Sequence, residues 1–249
     1  MVTTPAPKAI PLWKLLSGII DQPARTFQAI LAQYSWRMWA VPLLIVLLAF
    51  VALTVIGAPY GLEFARRQIE QQLATMPPGD AEAARPQMER FVTLPTILIA
   101  GLGFGGLGVI AGIVAQATVL YFTALVAGGD MKFSALFTMS AWSRLPLAVG
   151  FLAQAGYIAV ARRIVRYPGL AALVASGNLI EDSRNPLFLL LGRIDLFWLW
   201  HLLLVVVGLA VVARFSRFKA LVLTLIYAAL WLVTMVIPAL LQTALGGGG

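Results

Sequence analysis

The sequence of 249 residues has no cysteine and a single histidine, His201. The first absence excludes disulfides, thiolate metal sites and cysteine catalysis, and it leaves the redox compartment open. The second leaves a histidine-based metal site without partners, because the apolar segment around His201 offers only Asp195 nearby. No metal and no cofactor are expected. Charge is scarce too. Only 11% of residues are charged against 61% hydrophobic, and mean hydropathy is +0.90. Between Phe91 and Ala161 the charged side chains are Asp130, Lys132 and Arg144 alone. Such a run is not a water-soluble core. It implies a polytopic membrane protein, whose backbone groups must be satisfied within helices.

Catalytic motifs are missing as well. There is no Gly-x-Ser-x-Gly elbow and no glycine-rich phosphate loop ending in Lys-Ser or Lys-Thr. The glycines from Gly101 to Gly112 follow no soluble strand and lie in membrane-length apolar sequence, so helix packing explains them better than a nucleotide. Glu181 and Asp182, with Arg184, read as a solvated loop. No polar block is long enough to fold alone: residues 57–90 and 162–186 read as loops with at most a short helix each.

What is present is apolar sequence flanked by cations. The net charge is +8. The cations cluster beside apolar segments, which suits anionic lipid headgroups and not nucleic acid. The expected fold is all-α: a bundle of five transmembrane helices preceded by an amphipathic interfacial helix. Residues 1–35 form the interfacial region, residues 36–245 the membrane domain, and residues 246–249 a flexible glycine tail. In the first region Trp13, Leu15, Leu16, Ile19 and Ile20 share one broad helical face. That face either lies on the membrane or packs on the protein itself, and the two are compatible. Trp13, Lys14, Trp36 and Trp39 are the expected membrane-surface anchors. The first apolar run begins too late and is too long for a cleaved signal peptide, so it is expected to remain.

The first span is expected over residues 36–56. The second lies within residues 91–127, as one long tilted helix. Its rival is a re-entrant loop at residues 101–108. Gly101, Gly105, Gly108, Gly112 and Ala115 alternate steps of four and three, a row that suits a close helix–helix seam. The third span, residues 133–161, should kink at Pro146. A short surface helix is expected at residues 168–176. The fourth span lies within residues 187–212, and the fifth covers residues 220–241, with Pro238 near its end. Five spans put the termini on opposite sides. The basic turn Arg214, Arg217 and Lys219 faces a tail without cations, which places the N-terminus in the cytosol. Counted over all loops the bias is slight, with eight Lys/Arg inside and nine outside.

Arg144 is the conspicuous residue. It lies about 16 Å into its span, too deep for comfortable snorkelling. Asp195, the one carboxylate in any apolar segment, and His201 are its expected companions in a buried polar cluster. That cluster either fixes helix register or lines a polar cavity for a headgroup, a proton or an anion.

Several stretches resemble the Yip family, membrane proteins named for interacting with Ypt/Rab GTPases, and in particular its bacterial branch. Gly128-Gly129, Phe133, Phe137 and Leu145-Pro146 look like the family's third helix. Asp195, Phe197, Trp200 and Gly208 look like its fourth. Ser216, Lys219 and Ala220 look like the start of its last, and Asp21, Pro23 and Phe27 fit the approach to its first. The resemblance implies five spanning helices, a cytosolic N-terminus and no enzymatic activity. The Ala/Leu/Val/Arg-rich composition looks bacterial, so Rab binding is not carried over, and the bacterial cytoplasmic (inner) membrane is the expected location. The expected function is a non-catalytic scaffold or accessory subunit that docks on another integral membrane protein, such as an export or transport complex. The alternative is a lipid or small-solute carrier using a cavity around Arg144. With five helices per chain, a carrier would need to form a homo-oligomer.

Overall fold

The computed structural model describes residues 10–178, 182 and 185–246; the side chains of residues 235, 236 and 238–246 are not described. Glu181, Arg184 and most of the glycine tail, whose roles were expected from sequence, lie outside these residues. Among the described residues the chain is helical, without strands. A short hairpin of α1 (Leu12–Asp21) and α2 (Pro23–Ala32) leads into α3 (Trp36–Leu73) and α4 (Pro78–Arg90). Then come α5 (Leu94–Ala100), a π-turn (Gly101–Gly105) and α6 (Gly106–Val126). These three form one continuous apolar helix, Leu94–Val126, so the re-entrant alternative is not what the chain adopts. They are followed by α7 (Phe133–Ser143) and α8 (Leu145–Ala161), then α9 (Pro186–Leu191), α10 (Leu196–Val212) and α11 (Arg217–Gly246).

Four helical stretches are long and apolar enough to cross a bilayer: Trp36–Leu73, Leu94–Val126, Phe133–Ala161 and Arg217–Thr234. A fifth, α10, is apolar but has only 17 residues. At 1.5 Å per residue it reaches about 26 Å, near the 30 Å hydrocarbon thickness. This is the architecture of a polytopic helical membrane protein.

Two boundaries differ from the sequence reading. The helix of the first span does not stop at Ile56 but continues to Leu73. Glu63, Arg66, Arg67 and Glu70 keep helical spacing, Arg67 pairs with Glu63 one turn away, and the helix runs through Gly57, Pro59 and Gly61 without ending. The surface helix expected at residues 168–176 is a single 3-10 turn, Ala171–Leu173. Gly169 explains the interruption. Its φ is +54°, and a Cβ there would meet the carbonyls of Leu191, Gly192 and Ile194.

The core joins both parts of the chain. Leu15, Ile19, Phe27 and Ile30 of the hairpin are buried in one cluster with Leu120, Met139, Trp142, Val205 and Leu209 of the spans. Three chain segments gather at that end. Lys219 Nζ donates to the Ala127 carbonyl across two turns. A Cβ on Gly129 would meet the Phe215 ring, and one on Gly208 would meet Met139 and Phe27. The N-terminal hairpin, the turn after α6 and the turn before α11 thus share one end, as alternating passes require.

Candidate functional site: a buried polar network

Proline sets up the site. Pro146 has no N–H, and its ring collides with the preceding turn, so the third span divides there. Arg144 sits at the break, between α7 and α8. Its carbonyl takes the amides of Leu147 and Ala148, at 2.9 and 3.3 Å. The Ser143 carbonyl is thereby left without its regular helical donor. His201 supplies one from α10: its Nδ1 donates to Ser143 O at 2.7 Å. A carbonyl can only accept, which assigns the ring proton to Nδ1. The same rule operates in α3. Pro42 deprives the Met38 carbonyl of its donor, and Trp142 Nε1 fills the gap at 2.5 Å. Prolines are tolerated in spans when neighbouring helices re-satisfy the freed groups in this way.

The guanidinium of Arg144 crosses to α6. Its Nε donates to Gln116 Oε1 at 3.0 Å and its Nη2 to the Gly112 carbonyl at 2.7 Å. Gln116 Nε2 in turn donates to Ser143 Oγ at 3.0 Å, and Ser143 Oγ to the Ser140 carbonyl at 2.9 Å. The Tyr227 hydroxyl of α11 donates to Gln116 Oε1 at 3.4 Å. Gly112 gives the guanidinium room, because a Cβ would lie 3.1–3.2 Å from its two terminal nitrogens. Gln116, Ser143 and His201 are buried, Tyr227 is 5% exposed, and Arg144 is half-buried. Four elements are fastened at one point: α6, the α7–α8 break, α10 and α11.

Asp195 is not among them. It is exposed at the head of α10, where its Oδ1 accepts from Trp198 N at 2.7 Å as a helix cap. No ion pair joins it to Arg144 among the described residues, so the expected charge pair is replaced by neutral acceptors. The expected Arg144–His201 contact is indirect, through Ser143. Gln116, Ser143 and Tyr227, which complete the site, are neutral. Their only signal in the sequence is a polar side chain inside an apolar run.

The glycine row divides in the same way. Gly101 faces Thr54, and Gly105 faces the Phe50 ring closely, so both pack on α3. Gly112 lies under Arg144, whereas Gly108 meets nothing within 4 Å. The π-turn is the reason. It widens the helix over Gly101–Gly105 and rotates the turns C-terminal to it, so a row drawn for a regular α-helix does not keep one face.

The expected anchor residues differ in exposure. Trp13 is 66% and Trp36 64% exposed. Lys14 and Arg37 stack on them at 5.4 and 5.7 Å. Trp39 turns inward, edge-on to Phe137 at 5.7 Å.

Chemically the network offers hydrogen-bond donors and a cation, with no nucleophile–base pair and no carboxylate. No group of three metal-ligating side chains occurs among the described residues. His201 Nε2 is buried without a hydrogen-bond partner.

The positions carried by the family resemblance serve packing here. Gly208 admits Phe27 and Met139, Pro146 breaks the third span, Asp195 caps α10, and Lys219 seals the α6 terminus. Comparison with curated proteins gives no match, and neither does comparison with solved structures. A family profile described as the Yip1 domain matches residues 17–238, from α1 through most of α11. The chain belongs to the Yip1-domain family of membrane proteins.

Proposed function

We propose that the protein is a non-catalytic scaffold or accessory subunit that docks on another integral membrane protein. It works in the bacterial cytoplasmic membrane, with its N-terminus in the cytosol. The observation that carries this reading is the outer face of α6. Gly108, Ala111 and Ala115 form a small-residue row there that the bundle leaves uncovered. Small residues let a partner backbone approach closely, which lipid does not require. The interior supports the same reading over a carrier. Arg144, Gln116 and Ser143 spend their hydrogen bonds on one another and on backbone carbonyls, in a manner suited to holding helices in register. The basic turn of Arg214, Arg217 and Lys219 supports the orientation.

Photo-crosslinking in native membranes tests the docking face. A crosslinker at Ala111 is expected to give a discrete adduct with a second membrane protein, and Gly108→Leu should abolish it. The same probe at Leu48, exposed on α3, serves as control. Adducts with lipid alone, or the same adducts from both positions, would contradict the proposal.

A further inference from the structure

The two ends of the bundle differ in charge. At the end holding α1, α2 and the turns around Asp130 and Ser216, the described residues include seven basic and two acidic side chains. The opposite end has eight basic and seven acidic ones. At the basic end an open groove of about 450 Å³ lies between the start of α2 and α10, lined by Gln22, Pro23, Ala24, Arg25 and Val207. Its walls are largely apolar apart from Gln22 and Arg25, both exposed. One terminal guanidinium nitrogen of Arg25 donates to Gln22 Oε1 at 3.0 Å. Its remaining N–H donors have no acceptor among the described residues.

The groove has a defined depth. Val207 lies five residues before the end of α10 at Val212, about 7.5 Å along the axis. Phe27, seated in the space that Gly208 leaves, fixes α2 at that level. With the end of α10 taken as the end of its pass, that distance falls in the range over which headgroups give way to acyl chains. Trp13 and Ile20, 66% and 61% exposed, point outward from the same hairpin.

We infer that this groove seats one anionic phospholipid, with its phosphate against Arg25 and an acyl chain running over Pro23 and Val207. The apolar wall suits a chain, and the surplus of cations at this end of the bundle, with Arg25 in the groove itself, selects a net negative headgroup over a zwitterionic one. The site stands independently of what docks on α6.

Native mass spectrometry of the full-length, delipidated protein tests it, with dioleoyl phosphatidylglycerol and dioleoyl phosphatidylethanolamine added in competition. The expected result is one tightly retained phosphatidylglycerol, and a loss of about fivefold in its preference on Arg25→Gln. Arg66→Gln, at the opposite end, should leave the preference intact. Arg25 is exposed and its one hydrogen bond is to the exposed Gln22, so the Arg25→Gln protein should keep its thermal midpoint in lipid-free detergent. Equal retention of the two lipids, an unchanged preference in Arg25→Gln, or an equal loss in Arg66→Gln would overturn the inference.

Discussion

An arginine at mid-span costs several kcal/mol unless its donors are met. At Arg144 two of the five are met, Nε by Gln116 and Nη2 by the Gly112 carbonyl, and no acid takes part among the described residues. This makes a specific prediction. Gln116→Leu strands a cation in the bundle, whereas the double variant with Arg144→Met leaves two apolar side chains and no stranded charge. In a stability cycle these two substitutions should couple by about 1–3 kcal/mol. Arg144→Met with Asp195→Leu should instead be additive within about 0.5 kcal/mol, because the aspartate only caps α10. Thermal or denaturant unfolding in detergent measures both cycles. Coupling to Asp195 and none to Gln116 would reverse the assignment. Part of this site was legible in the sequence. Arg144 stood out because a charge in an apolar run is expensive. Its partner did not, because a search for compensation by formal charge selects Asp195. Gln116 is neutral, lies on another helix, and meets Arg144 only after the chain has turned.

Elements were legible where their causes are local. Pro146 predicted the break in the third span because the missing N–H and the ring clash act within one turn. The glycine row was misleading for a related reason. Its spacing assumes a regular helix, and the π-turn at Gly101–Gly105 changes the phase between its two halves. The α3 extension was underestimated because its charged residues looked like a loop, although their spacing was helical. The glycines give an element-scale prediction. Gly105→Leu must displace the Phe50 ring and should lower stability by about 1–3 kcal/mol. Gly108→Leu meets open space and should leave stability within about 0.5 kcal/mol of the parent. Thermal midpoints in detergent distinguish them, and equal losses would show that the whole row is a seam. If Gly108→Leu spares stability yet removes the Ala111 adduct, the outer face binds a partner without contributing to the fold.

At the scale of the molecule, each of these readings depends on how the helices cross the membrane. The depth of Arg144, the basic end and the outer face of α6 all assume five passes. The geometry supports that count, since the segments expected on one side meet at one end through Lys219, Phe215 and Phe27. α10 is the shortest pass and the one on which the count turns. If it did not cross, the two termini would lie on the same side. The absence of cysteine makes the direct measurement clean. Single cysteines at Thr4, Ala83 and Gly247 can be probed with an impermeant thiol reagent applied from outside intact spheroplasts. Ala83→Cys and Gly247→Cys should label at once, and Thr4→Cys only after the membrane is opened. Labelling of Thr4→Cys and Gly247→Cys from the same side would contradict the five-pass bundle.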